Sequence, residues 1–353
     1  MWSRRAKPLV GVDIGSHAIK LVHLAASGRR FQLLNLGFVP LPANAVVDGT
    51  IADITSVQET LRQLVSMEKL ASKDVSLALS GHSVIVKKVR MARMTEEELS
   101  NSMPYEAEQH IPFDVYDVNI DFQILAGGGQ GEQMDVLLVA ARKGRVEELS
   151  QVAQAAQLRP AVVDVDMLAL LNCFEFNYPE EIASGQVVSL VHIGASLMTV
   201  LILKEGLSTF QRDIALGGNQ YTTALQEALG VGREEAEALK LGAAGEKSAH
   251  TEVLALLRKS TDDVVTEIQR SFEFYLGSAG DEPIEQVYLS GGCARMHGLA
   301  PFLASRLRLP VEPLDPFRQI DLPEKSFDAE YVRDMAPMAA VAVGLAMRRK
   351  DDR

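Results

Sequence analysis

Ten residues near the start of the chain, Gly11-Val12-Asp13-Ile14-Gly15-Ser16-His17-Ala18-Ile19-Lys20, hold the first arrangement of types and spacing that could do chemistry. An apolar run enters Asp13, and the Gly15-Ser16 turn behind it can aim backbone N–H groups at a phosphate. Asp13 is a hard oxygen donor able to hold Mg²⁺ directly or through water. Lys20 offers a positive charge to the same phosphates, and His17 lies between them on the turn side. A plain hairpin with a surface Asp and Lys would read the same way. No Gly-Lys-Ser/Thr follows, which excludes a Walker loop, and the chain continues as a strand rather than a helix, which excludes a dinucleotide fingerprint. A second such hairpin, His192-Ile193-Gly194-Ala195-Ser196, could oppose the first as another phosphate clamp. Its carboxylate position holds His192, a side chain that prefers softer metals than Mg²⁺ and equally suits a polar gap in a strand. A third segment, Ser290-Gly291-Gly292-Cys293-Ala294-Arg295, follows a strand and is expected to open a helix. Two glycines there let backbone approach a flat ligand such as a purine, although a structural strand-to-helix turn uses similar residues.

The elements that must position these residues follow from periodicity. Asp13 and Lys20 fall on the first two strands of an antiparallel meander that ends near residue 41, followed by an amphipathic helix carrying Val57, Leu61, Leu64 and Val65 on one side. The stretch from His82 to about Arg159 reads as a separate α/β module, with a Thr95-x-x-Glu98 capping box, a glycine-rich hairpin loop at 127–131 and strands on either side of that loop. That loop has no lysine behind it, which favours a flexible hairpin loop over a phosphate loop, and Glu96-Glu97-Glu98 reads as a solvated first helical turn. Beyond residue 159 the opening pattern returns. Val187-Val188-Ser189-Leu190-Val191-His192-Ile193-Gly194 repeats the register of Pro8 to Gly15, a weak internal duplication. Helices are expected from Asn219 to about Gly277, and an apolar helix near the C-terminus.

The 353 residues, 47% hydrophobic and 23% charged, suffice for more than one core. A net charge of −12 argues against nucleic acid as a partner. Cys173 and Cys293 stand 120 positions apart, which fits neither a disulfide framework nor a zinc site and suits a reducing compartment. The start lacks the apolar stretch of a signal peptide. Val187 to Leu203 runs 17 residues without formal charge, but its Val and Thr content, His192 and the Gly194-Ala195-Ser196 break favour two buried strands over a membrane span.

The chain order of two phosphate hairpins, Leu216-Gly217-Gly218 and the Ser290-Gly291-Gly292 turn resembles that of the actin-like ATPase superfamily. Within it, GVDIGSHAIKLVHL, MPYEAEQHIPFDVYDVNIDFQIL, MDVLLVAARK, VVDVDMLAL, LSGGCARMHGL and APMAAVAVGLAMR resemble the PilM family of type IV pilus assembly proteins over essentially the whole chain. The resemblance implies an α/β, bilobed actin-like ATPase fold with an inserted 1C subdomain of the type found in the cell-division protein FtsA. It assigns 1–81 to subdomain 1A, completed by 159–180 and 337–353, and 82–158 to 1C. Subdomain 2A would span 181–220 and 285–336, with 221–284 as 2B.

That resemblance further implies ATP and Mg²⁺ in a deep cleft and a cytoplasmic protein held at the inner membrane by a partner, without a membrane span of its own. The partner would be PilN, whose N-terminal peptide lies in a groove between 1A and 1C, with other inner-membrane pilus components and the assembly ATPase as further partners. By motif, Asp13, Gly15, Ser16, His17 and Lys20 fall in the first phosphate segment and Gly194, Ala195 and Ser196 in the second. Gly217 and Gly218 fall near the phosphates, Gly291, Gly292 and Arg295 in the adenosine segment, and Glu267, Arg270 and Ser271 on a helix expected to close over the base. Asp166 stands near where the superfamily positions the attacking water, or is a carboxylate at a helix start. His192 in place of the usual Asp implies slow hydrolysis. Ile111, Pro112 and Phe113 either pack the insert's own core or receive the partner peptide. A sugar kinase of the same superfamily and an FtsA-like filament former are the alternatives. The kinase needs a general base and two intact clamps, and the filament former needs an amphipathic membrane helix.

Overall fold

A computed structural model describes residues 8–28, 30–125, 131–242, 247–278, 282–323 and 325–350. Two sheets built on the same plan organise it. In the first, strands run in the order Arg159–Val165, Asp74–Leu79, Val10–Ile14, Ala18–Ser27, Arg30–Pro40, with the short Ile320–Asp321 at the edge. In the second the order is Val311–Pro313, Gln286–Ser290, Val187–Ile193, Met198–Lys204, Leu207–Ile214. Each has a three-stranded antiparallel meander whose first strand pairs in parallel with a later one. The weak repeat in the sequence is therefore a repeat of topology, and it sets Val10–Ile14 and Val187–Ile193 in equivalent positions. The uncharged stretch from Val187 forms two strands joined at Gly194–Leu197, as its composition predicts. Among the described residues, no helix is long and apolar enough to cross a membrane.

Alternation along the strands assigns each sheet face to a different core. Leu190, Leu201 and Leu203 of the second sheet share a cluster with Leu24 and Leu33 of the first. That cluster also takes in the helices Asp166–Asn177 and Ala329–Met347, so it is the core between the lobes. Val191, Val200 and Ile202 point the other way, onto Tyr221, Val264 and Ile268 of the second-lobe helices. The C-terminal helix begins at Ala329, capped by Asp328, earlier than its apolar stretch suggests. It packs so closely on the first sheet and on the helix Asp166–Asn177 that Gly11 and Gly344, respectively, have backbone where a Cβ would sit.

The insert, with its own core around Leu99, Met103, Val136 and Leu138, is a three-stranded sheet ordered Val84–Ala92, Gln133–Arg142, Val118–Ile124, covered by the helix Glu96–Glu108. The capping box is formed: Glu98 N–H donates to Thr95 Oγ1 at 3.2 Å, and Thr95 N–H donates to Glu98 Oε2 at 2.8 Å. Gly127 to Gln130 of the expected loop lie outside the described residues. Three boundaries differ from the sequence reading. The helix Lys143–Ala155 was expected to belong to the insert, but its Leu149, Val152 and Ala153 pack with Leu61 and Leu64 in the first-lobe core. Its apolar face is spaced for burial without naming the sheet that buries it. Ile320 and Asp321, expected in the second lobe, pair with Phe31 and Gln32 of the first sheet. The Ser290-Gly291-Gly292 segment does not open an α-helix. A single 3₁₀ turn, Gly292–Arg295, follows it, and the next α-helix starts only at Leu299, because Gly298 adopts φ 81° and interrupts the chain direction.

Candidate functional site

The two equivalent strand ends and the Gly291-Gly292 turn converge on one cleft between the lobes. Asp13 and Lys20 are direct cross-strand partners in the first hairpin, and Lys20 Nζ donates to Asp13 Oδ2 at 3.0 Å. Both side chains are largely shielded from solvent at the cleft floor. From the opposite lobe Ser196 meets Ser16, their hydroxyls 2.6 Å apart across 180 positions of sequence. The hairpin turns therefore touch. Gly218 N–H donates to Gly194 O at 2.8 Å and Asn219 N–H to Ala195 O at 2.8 Å, which fixes the second turn against the helix Gly218–Leu229.

Of the residues singled out by sequence, Asp13, Gly15, Ser16, His17, Lys20, Asp166, Gly194, Ala195, Ser196, Gly218, Gly291, Gly292 and Arg295 line this cleft. Gly217 does not line it. It caps the Gly218–Leu229 helix, and a Cβ there would lie 2.7 Å from the Gly194 and Ala195 carbonyl oxygens. Gly291 has φ 88°, a conformation glycine adopts without strain, and a Cβ on it would lie 2.3 Å from Ile193 O. Arg295 donates to Asp334 at 3.1 Å, so its guanidinium is anchored on the C-terminal helix. Glu267, Arg270 and Ser271 are outside the cleft, contrary to expectation. Glu267 pairs with Arg212 and Arg270, and Ser271 is buried behind the second sheet. The resemblance placed that helix over the base, but Arg212 of the second sheet holds Glu267 and Ser271 away from the cleft.

The helical wall comes instead from residues that sequence reasoning missed. Glu237 and Lys240, one turn apart on Arg233–Lys240, both line the cleft. Lys240 is 8% exposed and donates to Thr222 Oγ1 at 3.0 Å and Glu237 Oε2 at 2.6 Å. Burial raises the Glu237 carboxyl, but the neighbouring ammonium, Thr222 and His17 outweigh it and hold the group below its usual range. The i, i+3 spacing of Glu237 and Lys240 was legible as a helix pair, but nothing in the sequence aimed it inward. Burial also lowers His17, with Glu237 opposing and Lys240 reinforcing. His17 belongs to the first lobe and Glu237 to the second, so charge already acts across the cleft.

Asp166 accepts from Met167 N–H at 2.7 Å at the start of its helix. Burial, reinforced by Asp213, pushes its carboxyl well above the usual range. His192 Nδ1 lies 2.9 Å from Ser290 Oγ. Burial pushes His192 down from 6.5 to about 4, so its imidazole is neutral at pH 7. The unfolded chain then binds a proton below about 6.5 that the folded chain refuses until about 4. Stability is thus untouched above this window and lost as pH falls through it, by up to about 3 kcal/mol. His192→Asn should flatten that acid limb. Melting curves from pH 7 to pH 4 should favour the variant progressively, and parallel curves would place the proton-refusing group elsewhere.

The donor set suits Mg²⁺, which keeps several waters and takes one or two protein carboxylates alongside phosphate oxygens. Asp13 would supply the carboxylate, and neutral His192 adds no competing charge. A family model described as type IV pilus assembly protein PilM matches residues 11–350. The chain belongs to the PilM family. The solved PilM-PilN type IV pilus biogenesis complex is similar to it with a TM-score of 0.85 and 27% identity, covering 98% of this chain and 99% of that one. The ethanolamine utilization protein EutJ from Carboxydothermus hydrogenoformans matches at a TM-score of 0.56 and 16% identity, over 97% of this chain and 92% of that one. MreB5 of Spiroplasma citri bound to AMPPNP matches at 0.50 and 13%, over 96% and 94%. The fold of this PilM-family chain is thus the bilobed actin-like ATPase fold, and its insert is the three-stranded module after Leu79.

Proposed function

We propose that this protein is a nucleotide-binding scaffold of the type IV pilus assembly platform, taking Mg-ATP in the cleft and the N-terminal peptide of PilN on the surface where the insert meets the first lobe. The observation carrying the nucleotide half is the convergence of two equivalent hairpins, Asp13–Lys20 and the Gly291 turn on one cleft whose helical wall holds Glu237 and Lys240. Asp13 would hold Mg²⁺ through water, Lys20 and the turn amides would meet the phosphates, and the Gly291-Gly292 backbone would receive the base. Hydrolysis is slow in this reading. Burial favours the neutral form of Asp166, the opposite of what a general base needs, and His192 supplies no carboxylate. The same property weighs against a sugar kinase. Calorimetry with ATP, with and without Mg²⁺, tests the nucleotide half; absence of Mg-dependent binding would overturn it.

The partner half is supported by likeness to a solved PilM-PilN complex over nearly the whole chain. Of the three residues offered for that contact, Ile111 is 7% exposed and packs in the insert core, which removes it from the surface. Pro112 and Phe113 remain on a groove with Asp114, Arg142 and Arg145, and the Arg142 guanidinium lies 4.3 Å from the Phe113 ring centre. Phe113→Ala should weaken capture of the PilN peptide on the order of tenfold, with a smaller loss of stability than at Ile111 because Phe113 is only half-buried against the insert core. Ile111→Ala should instead lower stability by roughly 2–5 kcal/mol. Equal peptide binding by the Phe113 variant and the wild type would move the contact off this groove. With a net charge of −12, attachment to an anionic inner membrane would depend on the partner, as would links to other platform components and the assembly ATPase. Deleting the peptide from PilN should then release the protein from the membrane fraction.

A further inference from the structure

Three consecutive residues on the outer strand of the second sheet reach three different parts of the molecule. Gln211 Nε2 donates to Val86 O of the insert at 2.7 Å. Arg212 donates to Glu267 at 3.0 Å and to Ser271 at 3.3 Å, both on the long second-lobe helix Lys247–Ser278. Asp213 accepts from Thr199 Oγ1 at 2.7 Å, and Thr199 lines the cleft opposite His192 in the strand register. Strand alternation explains the division. Gln211 and Asp213 pair with Leu201 and Thr199 on the inter-lobe face, whereas Arg212 pairs with Val200 on the face that packs the helices.

The contact at Gln211 joins two lobes. The insert is rooted in the first lobe, between strand Asp74–Leu79 and helix Lys143–Ala155, and would otherwise move with it as one body. Its outer strand Val84–Ala92 faces the second lobe, with Val84 and Val86 also resting on the inter-lobe core. A 2.7 Å hydrogen bond has little slack: a shift of about 1 Å breaks it. Any rotation of the lobes therefore strains or breaks this bond while the Arg212 contacts keep the strand with the second lobe.

We propose that the strand Leu207–Ile214 transmits occupancy of the cleft to the insert, with Gln211 as the positioning residue that makes the link. This rests on the nucleotide reading above and adds the regulation of the insert. Typical coupling between sites is 5- to 150-fold, and a single hydrogen bond accounts for the lower end.

Amide hydrogen exchange of the whole protein, with and without Mg-AMPPNP, separates the possibilities. A nucleotide touching both walls of the cleft would oppose that rotation and hold the bond, so in the wild type it should slow exchange at least fivefold both in the Gly11–Lys20 hairpin and in Val84–Ala92. In Gln211→Leu, which keeps the volume but loses the donor, hairpin slowing should persist and insert slowing fall below twofold. Gln211→Arg keeps donors and should restore most of the insert response. An insert response unchanged in Gln211→Leu, or absent in a wild type whose hairpin responds, overturns the proposal alone. Failure of Gln211→Arg to restore it overturns the role of the hydrogen bond. No hairpin response in the wild type overturns the nucleotide reading, and this proposal with it.

Discussion

Asp13→Ala is expected to lower Mg-ATP affinity by roughly 10- to 100-fold, the usual cost of losing a group that orients a bound metal. The wild-type carboxylate faces Lys20 across the hairpin and is shielded at the cleft floor, so its charge acts with little screening. The sign of the metal-free control is part of the argument. Without Asp13, Lys20 loses its 3.0 Å partner and is free to meet a phosphate. ATP binding in the presence of a chelator should therefore be unchanged or slightly stronger in the variant, and the whole loss should appear only with Mg²⁺. Calorimetry under both conditions checks this. Equal loss with and without metal would mean that Asp13 shapes the pocket rather than holding the ion.

The second large effect is on stability. Gly344→Ala should destabilise the protein by at least about 3 kcal/mol, the upper part of the range for overpacking a core. In an ordinary helix the same change would help by about 1 kcal/mol, because alanine is the better helix former. Here the new Cβ would lie 1.8 Å from Ala169 O and 2.5 Å from its carbonyl carbon, on the neighbouring helix Asp166–Asn177. Both atoms are backbone, so no side chain can swing aside, and the clash wins. The damage should reach the cleft, since Met338 and Val341 of the same helix line it. Gly144→Ala is the matched control: nothing lies within 4 Å of its Cβ position, in a helix that would gain from alanine. Thermal unfolding of both variants decides the point, and equal melting temperatures would show that the two helices can part at no cost.

Much of this architecture is legible in the amino-acid sequence. The repeat between Pro8 and Gly15 and Val187 and Gly194 became two sheets of matching order. The capping box at Thr95 and Glu98 formed as spaced. Asp13 and Lys20 came together because seven positions bridge a two-strand hairpin in register. These are local matters: alternation, turn chemistry and short-range pairing are set by neighbours in the chain. Where the reading failed, the missing information was which distant surface a face meets. The helix at Lys143 shows burial but not its partner sheet, and on the helix expected over the base Glu267 and Ser271 meet Arg212 while Arg270 pairs with Glu267.

Spacing within a few dozen residues is enough to specify the two hairpins, the insert that separates them and the residue types able to meet a phosphate and a hard metal ion. Long-range packing sets the rest: Glu237 and Lys240 form the helical wall, Ile111 is core, and Gln211 reaches Val86. Those contacts join segments tens to more than a hundred positions apart. Their geometry is fixed by how two sheets and the C-terminal helix pack, with Gly11 and Gly344 setting the closest approach, and close packing of backbone on backbone leaves no periodic signature in the chain.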